Sequence, residues 1–221
     1  MSERRDELAS RLSTVRRELR EAAVDVGRAP EEITLIVVTK NFPVSDAVIL
    51  YELGERNFGE NRDNEGSEKS AAIPPDLHWH FQGQVQSKKI KSIAGWAEVV
   101  HSLDSLDHAE KFNKFEPRDF FIQVSTEPGA LHRGGVPLAS VRDFYSELQR
   151  FENLRIRGLM VVPPLESNPG EVFSQVAAEA RELGLADLSM GMSGDFREAI
   201  RAGATHIRVG SSILGSRQPP A

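Results

Sequence analysis

Thr34-Leu-Ile-Val-Val-Thr-Lys40 is a short, β-branched, almost wholly apolar run that delivers one lysine at its end. Asn41, Phe42 and Pro43 follow at once, so the run reads as a buried strand closed by turn residues. Burial explains the run but not the lysine, which is seldom buried without a partner. Lys40 therefore has two readings. One is a strand-end lysine reaching out to water. The other is an amine at the mouth of a pocket, where desolvation turns it into a Schiff-base nucleophile.

Outward from this strand the same alternation repeats along the chain. Strand-like runs fall at 33–39, 56–59, 77–81, 98–101, 120–125, 156–162, 188–190 and 207–210. Amphipathic segments lie between them at 45–53, 61–70, 87–94, 105–115, 137–151, 170–183 and 194–202, and a short apolar tail, Ser212-Ile-Leu-Gly215, ends the series. Ser45 and Ser87 are placed as N-caps and Pro137 in a first helical turn. Strict alternation implies a parallel sheet. Eight repeats predict a closed (β/α)8 TIM barrel, for which 221 residues is near the lower end of the size range. An open doubly wound sheet is the alternative, but no G-x-G-x-x-G follows the first strand.

In front of the first strand, Leu8, Leu12, Val15, Leu19, Ala22 and Val26 recur at helical spacing, and Gly27 and Pro30 stop the pattern. The expected organisation is one domain. Residues 1–30 form a helix belonging to it, 31–216 the barrel, and 217–221 a flexible tail.

Composition narrows the partners. A net charge of -6 leaves no general nucleic-acid footprint. The absence of cysteine excludes disulfides, thiolate metal sites and a cysteine nucleophile. No membrane-length apolar run and no leader-like start are present, so a cytoplasmic protein is expected.

In a (β/α)8 barrel, function belongs to the loops after the strand C-termini. Lys40 follows the first strand, and Phe58-Gly-Glu-Asn61 the second, where Asn61 is either a polar site group or a helix N-cap. In Leu77-His-Trp-His-Phe81, His78 and His80 share one face and read as core or rim histidines rather than metal ligands. The loop at 126–135 is long and glycine-rich, and carries His132 and Arg133. Ser189-Met-Gly-Met-Ser-Gly-Asp195 and Gly210-Ser-Ser212 each offer backbone N–H groups, a hydroxyl and a helix start, which suit an anion. They are the loops after strands seven and eight, the usual phosphate site of this fold. Gly191-Met-Ser-Gly-Asp195 also approximates a nucleophile elbow, but Asp195 replaces its last glycine. In His206-Ile-Arg-Val-Gly210, Arg208 points either into the barrel or at the helix layer, and a salt-bridged structural arginine is one reading of it. With an amine at Lys40 and a phosphate cradle nearby, Arg208 instead becomes a donor to a ring nitrogen, a set that describes pyridoxal phosphate.

Several motifs carry a resemblance to a known family: Val37-Val-Thr-Lys40, Phe58-Gly-Glu-Asn61, His80-Phe-Gln-Gly83, Gln86-Ser-Lys-Lys89, Arg157-Gly-Leu-Met160, Leu188-Ser-Met-Gly-Met-Ser193 and Arg208-Val-Gly-Ser211. Nearly the whole chain resembles the pyridoxal phosphate homeostasis proteins, whose single domain is similar to the N-terminal barrel of alanine racemase. The resemblance implies that Lys40 forms the internal aldimine and that Asn61 lies near the cofactor. It implies further that Met192, Ser193, Gly210 and Ser211 hold the phosphate, largely through backbone N–H groups, while Arg208 faces the pyridine nitrogen. Lys88 stands where the family usually has asparagine, and His132 and Arg133 occupy a loop where some relatives carry a lysine.

The function expected is a pyridoxal 5'-phosphate-binding protein that buffers the cofactor or delivers it to pyridoxal phosphate-dependent apoenzymes. It is expected to act as a monomer and without turnover. An arginine at the ring nitrogen makes a poor electron sink, and Tyr51 and Tyr145 fall inside helices, away from the strand ends. An amino-acid racemase, and a Schiff-base lyase using Lys40, are the enzyme alternatives.

Overall fold

The computed structural model describes residues 2–127 and 134–216. Its strands are β1 (Thr34–Val38), β2 (Asn57–Glu60), β3 (His78–Phe81), β4 (Val99–Leu103), β5 (Arg118–Ser125), β6 (Val136–Pro137), β7 (Leu154–Val161), β8 (Asp187–Ser189) and β9 (His206–Val209). The sheet runs β4-β3-β2-β1-β9-β8-β7-β5 and closes through β4–β5. The eight strands expected from sequence are the eight that close the barrel. The ninth, β6, is a two-residue strand on the end of β5, starting at Val136 beside Val124.

Helices follow each barrel strand: α2 (Val44–Glu52), α3 (Asp63–Ala72), α4 (Ile90–Trp96), α5 (Leu106–Phe112), α6 (Val141–Leu148), α7 (Pro169–Glu182), α8 (Phe196–Arg201) and α9 (Ser211–Leu214). In front of them, α1 (Ser2–Val24) buries Leu8, Leu12, Val15, Leu19 and Ala22 in the same core and packs on α8 and α9. Val26, expected on that stripe, lies past the helix end and is exposed, because the chain turns at Gly27 with φ +68.

The expected caps are corrected. Ser45 lies inside α2, whose N-cap is Pro43. Ser87 sits in a 3-10 turn ahead of α4 and donates its hydroxyl to Asp107. Pro137 ends β6 and is the N-cap of a 3-10 turn, Leu138–Ser140, ahead of α6, one residue short of the first turn expected for it. At Ser87 the contact with Asp107 outweighs a local capping preference.

Strand parity decides what faces inward. Leu35 and Val37 join the core cluster beneath the helices, and Ile36 pairs in register with Arg208 of β9. Neighbouring strands present register partners on the same face, so Ile36, Val38 and Lys40 share the inner side with Arg208. Trp79 packs outward against Trp96 of α4, whereas His80 turns inward beside His101.

His80 and His101 are buried, and His101 stacks on Phe121 with centroids 4.5 Å apart. Burial, followed by neighbouring positive charge, holds both imidazoles well below the usual histidine range. Below the unperturbed value of about 6.5, the unfolded chain binds protons that these folded histidines refuse. Their contribution to stability is therefore present above that pH and lost as pH falls toward their folded values. The stability lead of the wild type over His101→Gln, measured by urea unfolding, should shrink from roughly pH 7.5 to about pH 5.5. A lead that grows on acidification would contradict neutral buried rings.

Candidate functional site

A cavity of about 520 Å³ opens at the C-terminal ends of the strands. Lys40, Asn61, Met192, Ser193, Arg208, Gly210 and Ser211, the seven residues singled out from sequence, all line it. Phe42, Gln82, Met160 and Val162 also line it, with Val38, Gly194 and Gly215, and were not among the seven. Gln82 and Met160 lie within two of the motifs quoted above, and their position at or beside a strand end is the signal for them.

Arg208 forms part of the cavity floor and is buried in the barrel. Its Nη1 donates to the carbonyl oxygen and the Oγ of Ser189, at 2.6 and 2.7 Å, and its Nη2 donates to the Val161 carbonyl at 2.9 Å. Burial pushes its pKa down to about 10, opposed by the charge of Asp195, so it remains a cation at neutral pH. The side chain points into the barrel, which settles the choice left open by the strand pattern.

The loops after β8 and β9 meet at one side of the cavity. Gly191 adopts φ +92, and a Cβ there would stand 2.6 Å from the Ala199 Cβ, so the turn needs glycine to let α8 close on it. Ser193 Oγ accepts from the Ser212 N–H at 3.3 Å, tying the two loops together. The Met192 N–H is engaged by Asp195 Oδ1 at 2.6 Å, so this loop offers an anion one fewer backbone donor than its sequence suggests. The helices behind the loops span only six and four residues. Attraction of an anion thus rests on local N–H groups and two cations rather than on long helix dipoles.

Two buried polar atoms in the wall, Asn61 Oδ1 and Gln82 Nε2, have no hydrogen-bond partner among the described residues. The Asn61 amide nitrogen donates to the Gln82 carbonyl at 3.4 Å, so Asn61 serves this contact rather than capping α3, whose N-cap is Arg62. Gly83 lets the two segments touch, since a Cβ there would stand 1.9 Å from the Asn61 carbonyl oxygen. Buried polar groups are normally satisfied, so an acceptor and a donor left open in one cavity wall suit a polar ligand.

The chain around Lys40 is braced by buried charge. Lys69 Nζ donates to the Thr39 carbonyl at 2.8 Å and to Glu60 Oε1 at 2.6 Å, and the Thr39 hydroxyl donates to the same carboxylate at 2.6 Å. On the other side, Glu65 accepts the Asn41 N–H at 2.7 Å and holds that residue at φ 65. Burial raises the Glu60 carboxyl, and Lys69 works against that rise. Lys88 faces an external groove between α3 and α4 and lies away from this site. His132 and Arg133 lie outside the described residues.

The profile of the alanine racemase N-terminal domain matches residues 15–218. The pyridoxal phosphate homeostasis proteins of Mycobacterium leprae and Escherichia coli K12 are each 34% identical, covering 96% of this chain and 94% and 97% of their own. The chain belongs to the pyridoxal phosphate homeostasis protein family. Among solved structures, PipY of Synechococcus elongatus with PLP bound superposes with a TM-score of 0.82 at 33% identity, covering 94% of this chain and all of that one. Alanine racemase from Corynebacterium glutamicum, at 18% identity and TM-score 0.69, shares the fold over 60% of its own length.

Lys69→Met leaves Glu60 buried without its cation, which should cost about 3–5 kcal/mol in urea unfolding. Replacing both residues, as Lys69→Met with Glu60→Leu, should recover much of that loss. No recovery in the double variant would refute the pairing.

Proposed function

We propose that this protein binds pyridoxal 5'-phosphate through a Schiff base on Lys40 and serves intracellular homeostasis of the cofactor. It buffers the cofactor or delivers it to pyridoxal phosphate-dependent apoenzymes, without turnover of its own. One observation carries the reading: an amine, a buried guanidinium, two glycine-serine loops and two open amide atoms converge on a single cavity. The group supplies an electrophilic aldehyde, a ring nitrogen and a phosphate dianion. Lys40 would meet the first, Arg208 the second, and Ser193, Gly210 and Ser211 the third, while Met192, whose N–H is held by Asp195, lines the same side of the cavity. Asn61 would lie near the ring. Kinship with the homeostasis proteins and the PLP-bound PipY structure support the same reading.

The cavity wall also favours holding over turnover. Among its described residues the ionisable ones are Lys40 and Arg208. Racemisation needs a second acid–base opposite the lysine. Tyr51 lies in α2 with its hydroxyl on Asp76, Tyr145 lies in α6, and both ring nitrogens of His80 are engaged within the barrel. An arginine facing the ring nitrogen would keep its own proton at neutral pH rather than transfer it, so the nitrogen would stay unprotonated and the electron sink weak.

No described helix is long and apolar enough to cross a membrane. The cytoplasm is the compartment this role requires, and a monomer suffices because every residue named belongs to one chain.

The purified protein should show a cofactor absorption band that borohydride fixes covalently, with the added mass on the Lys40 peptide. Lys40→Ala should abolish it. A band that survives Lys40→Ala would sink the attachment, and robust alanine racemisation lost with Lys40 would replace homeostasis by catalysis.

A further inference from the structure

Beneath the cavity a chain of hydrogen bonds crosses the barrel interior. Arg208 on β9 donates to Ser189 Oγ on β8 at 2.7 Å, and that oxygen lies 2.7 Å from His101 Nδ1 on β4. His101 Nε2 lies 2.9 Å from His80 Nδ1 on β3, and His80 Nε2 lies 3.1 Å from Asn57 Oδ1 on β2. Five of the eight barrel strands are joined by four contacts.

Donor bookkeeping gives the chain one direction. A guanidinium only donates, so Ser189 Oγ accepts from Arg208. If Ser189 passes its own hydrogen to His101 Nδ1, that ring carries its hydrogen on Nε2 and donates to His80 Nδ1. His80 then donates from Nε2 to the Asn57 carbonyl oxygen, and every donor and acceptor is used. In the reverse direction both rings carry hydrogen on the other nitrogen. Ser189 Oγ would then accept twice, and the chain would leave its hydroxyl hydrogen no acceptor in a buried site, a costly arrangement. Ser189, His80 and His101 are buried, so water offers no easy substitute.

We propose that Ser189, His101 and His80 are positioning residues for Arg208, acting as a one-way hydrogen-bond relay anchored at Asn57. The relay keeps a Ser189 Oγ lone pair turned toward the guanidinium and, with the Ser189 carbonyl oxygen, fixes the plane of its Nη1 edge. The remaining guanidinium N–H groups are thereby aimed at the cavity. Its use toward the cofactor ring rests on the function proposed above, whereas its direction and its hold on Arg208 do not.

The test separates those parts. In cofactor-free protein labelled with nitrogen-15 on histidine and arginine, His80 and His101 should both be neutral Nε2–H tautomers at neutral pH. Their signals are assigned through His80→Gln and His101→Gln. The Arg208 Nη hydrogens should be resolved and protected, lost to exchange in Ser189→Ala, and restored in Ser189→Thr. An Nδ1–H tautomer at either ring, or Arg208 signals unchanged by Ser189→Ala, overturns the relay. Circular dichroism establishes that each variant is folded. Affinity for pyridoxal 5'-phosphate should fall about tenfold in Ser189→Ala and recover in Ser189→Thr, with affinity for inorganic phosphate held. Equal loss of both affinities would show a general structural role instead. Wild-type protein that binds no cofactor would remove the proposed function, and the tautomer and arginine signals would still decide the relay.

Discussion

A guanidinium buried inside a barrel needs acceptors, and Arg208 finds neutral ones: two oxygens of Ser189 and the Val161 carbonyl. The cation is therefore held in place without being cancelled. Burial lowers its pKa only to about 10, so its charge persists at neutral pH. Lys40 reaches the same cavity from β1, and no carboxylate is among the described residues that line it. Asp195 stands just behind, its carboxyl raised by burial and one oxygen occupied by the Met192 N–H. Two cations converging where acids are set back make a field that favours an anionic ligand.

The two lysines near the end of β1 meet opposite fates for one physical reason. Lys69 is 2% exposed and survives there because Glu60 and the Thr39 carbonyl take its hydrogens. That expense of burying an ion pair is not repaid as stability alone. It pins the residue before Lys40, while Glu65 pins the residue after it, so the lysine leaves a backbone fixed on both sides. An amine on a rigid tether presents itself to a ligand with little conformational entropy left to lose.

Much of the site was legible because each of its residues follows a strand that could be recognised locally. Lys40, Asn61 and the two glycine-serine loops stand at successive strand ends, and all of them line the cavity. The helix caps are less legible, since Ser87 serves Asp107 on a neighbouring segment. The roles of His80 and His101 were equally hidden. Their bonds span 21 and 88 positions in the chain, and no local pattern announces such contacts. The brace beneath Lys40 needs Glu60 and Lys69 to meet across β2 and α3, which helix periodicity does not signal.

By itself the sequence determined the alternation of eight strands and helices, the lysine and arginine that depart from an apolar pattern, and the loops suited to phosphate. Those properties are written in hydrophobic period, turn chemistry and motif, which act over a few residues. Only the tertiary structure decided that Arg208 points inward, that Met192 spends its N–H on Asp195, and that Lys40 stands on a braced backbone. Each depends on barrel closure and register, and closure brings together residues that no short-range pattern relates.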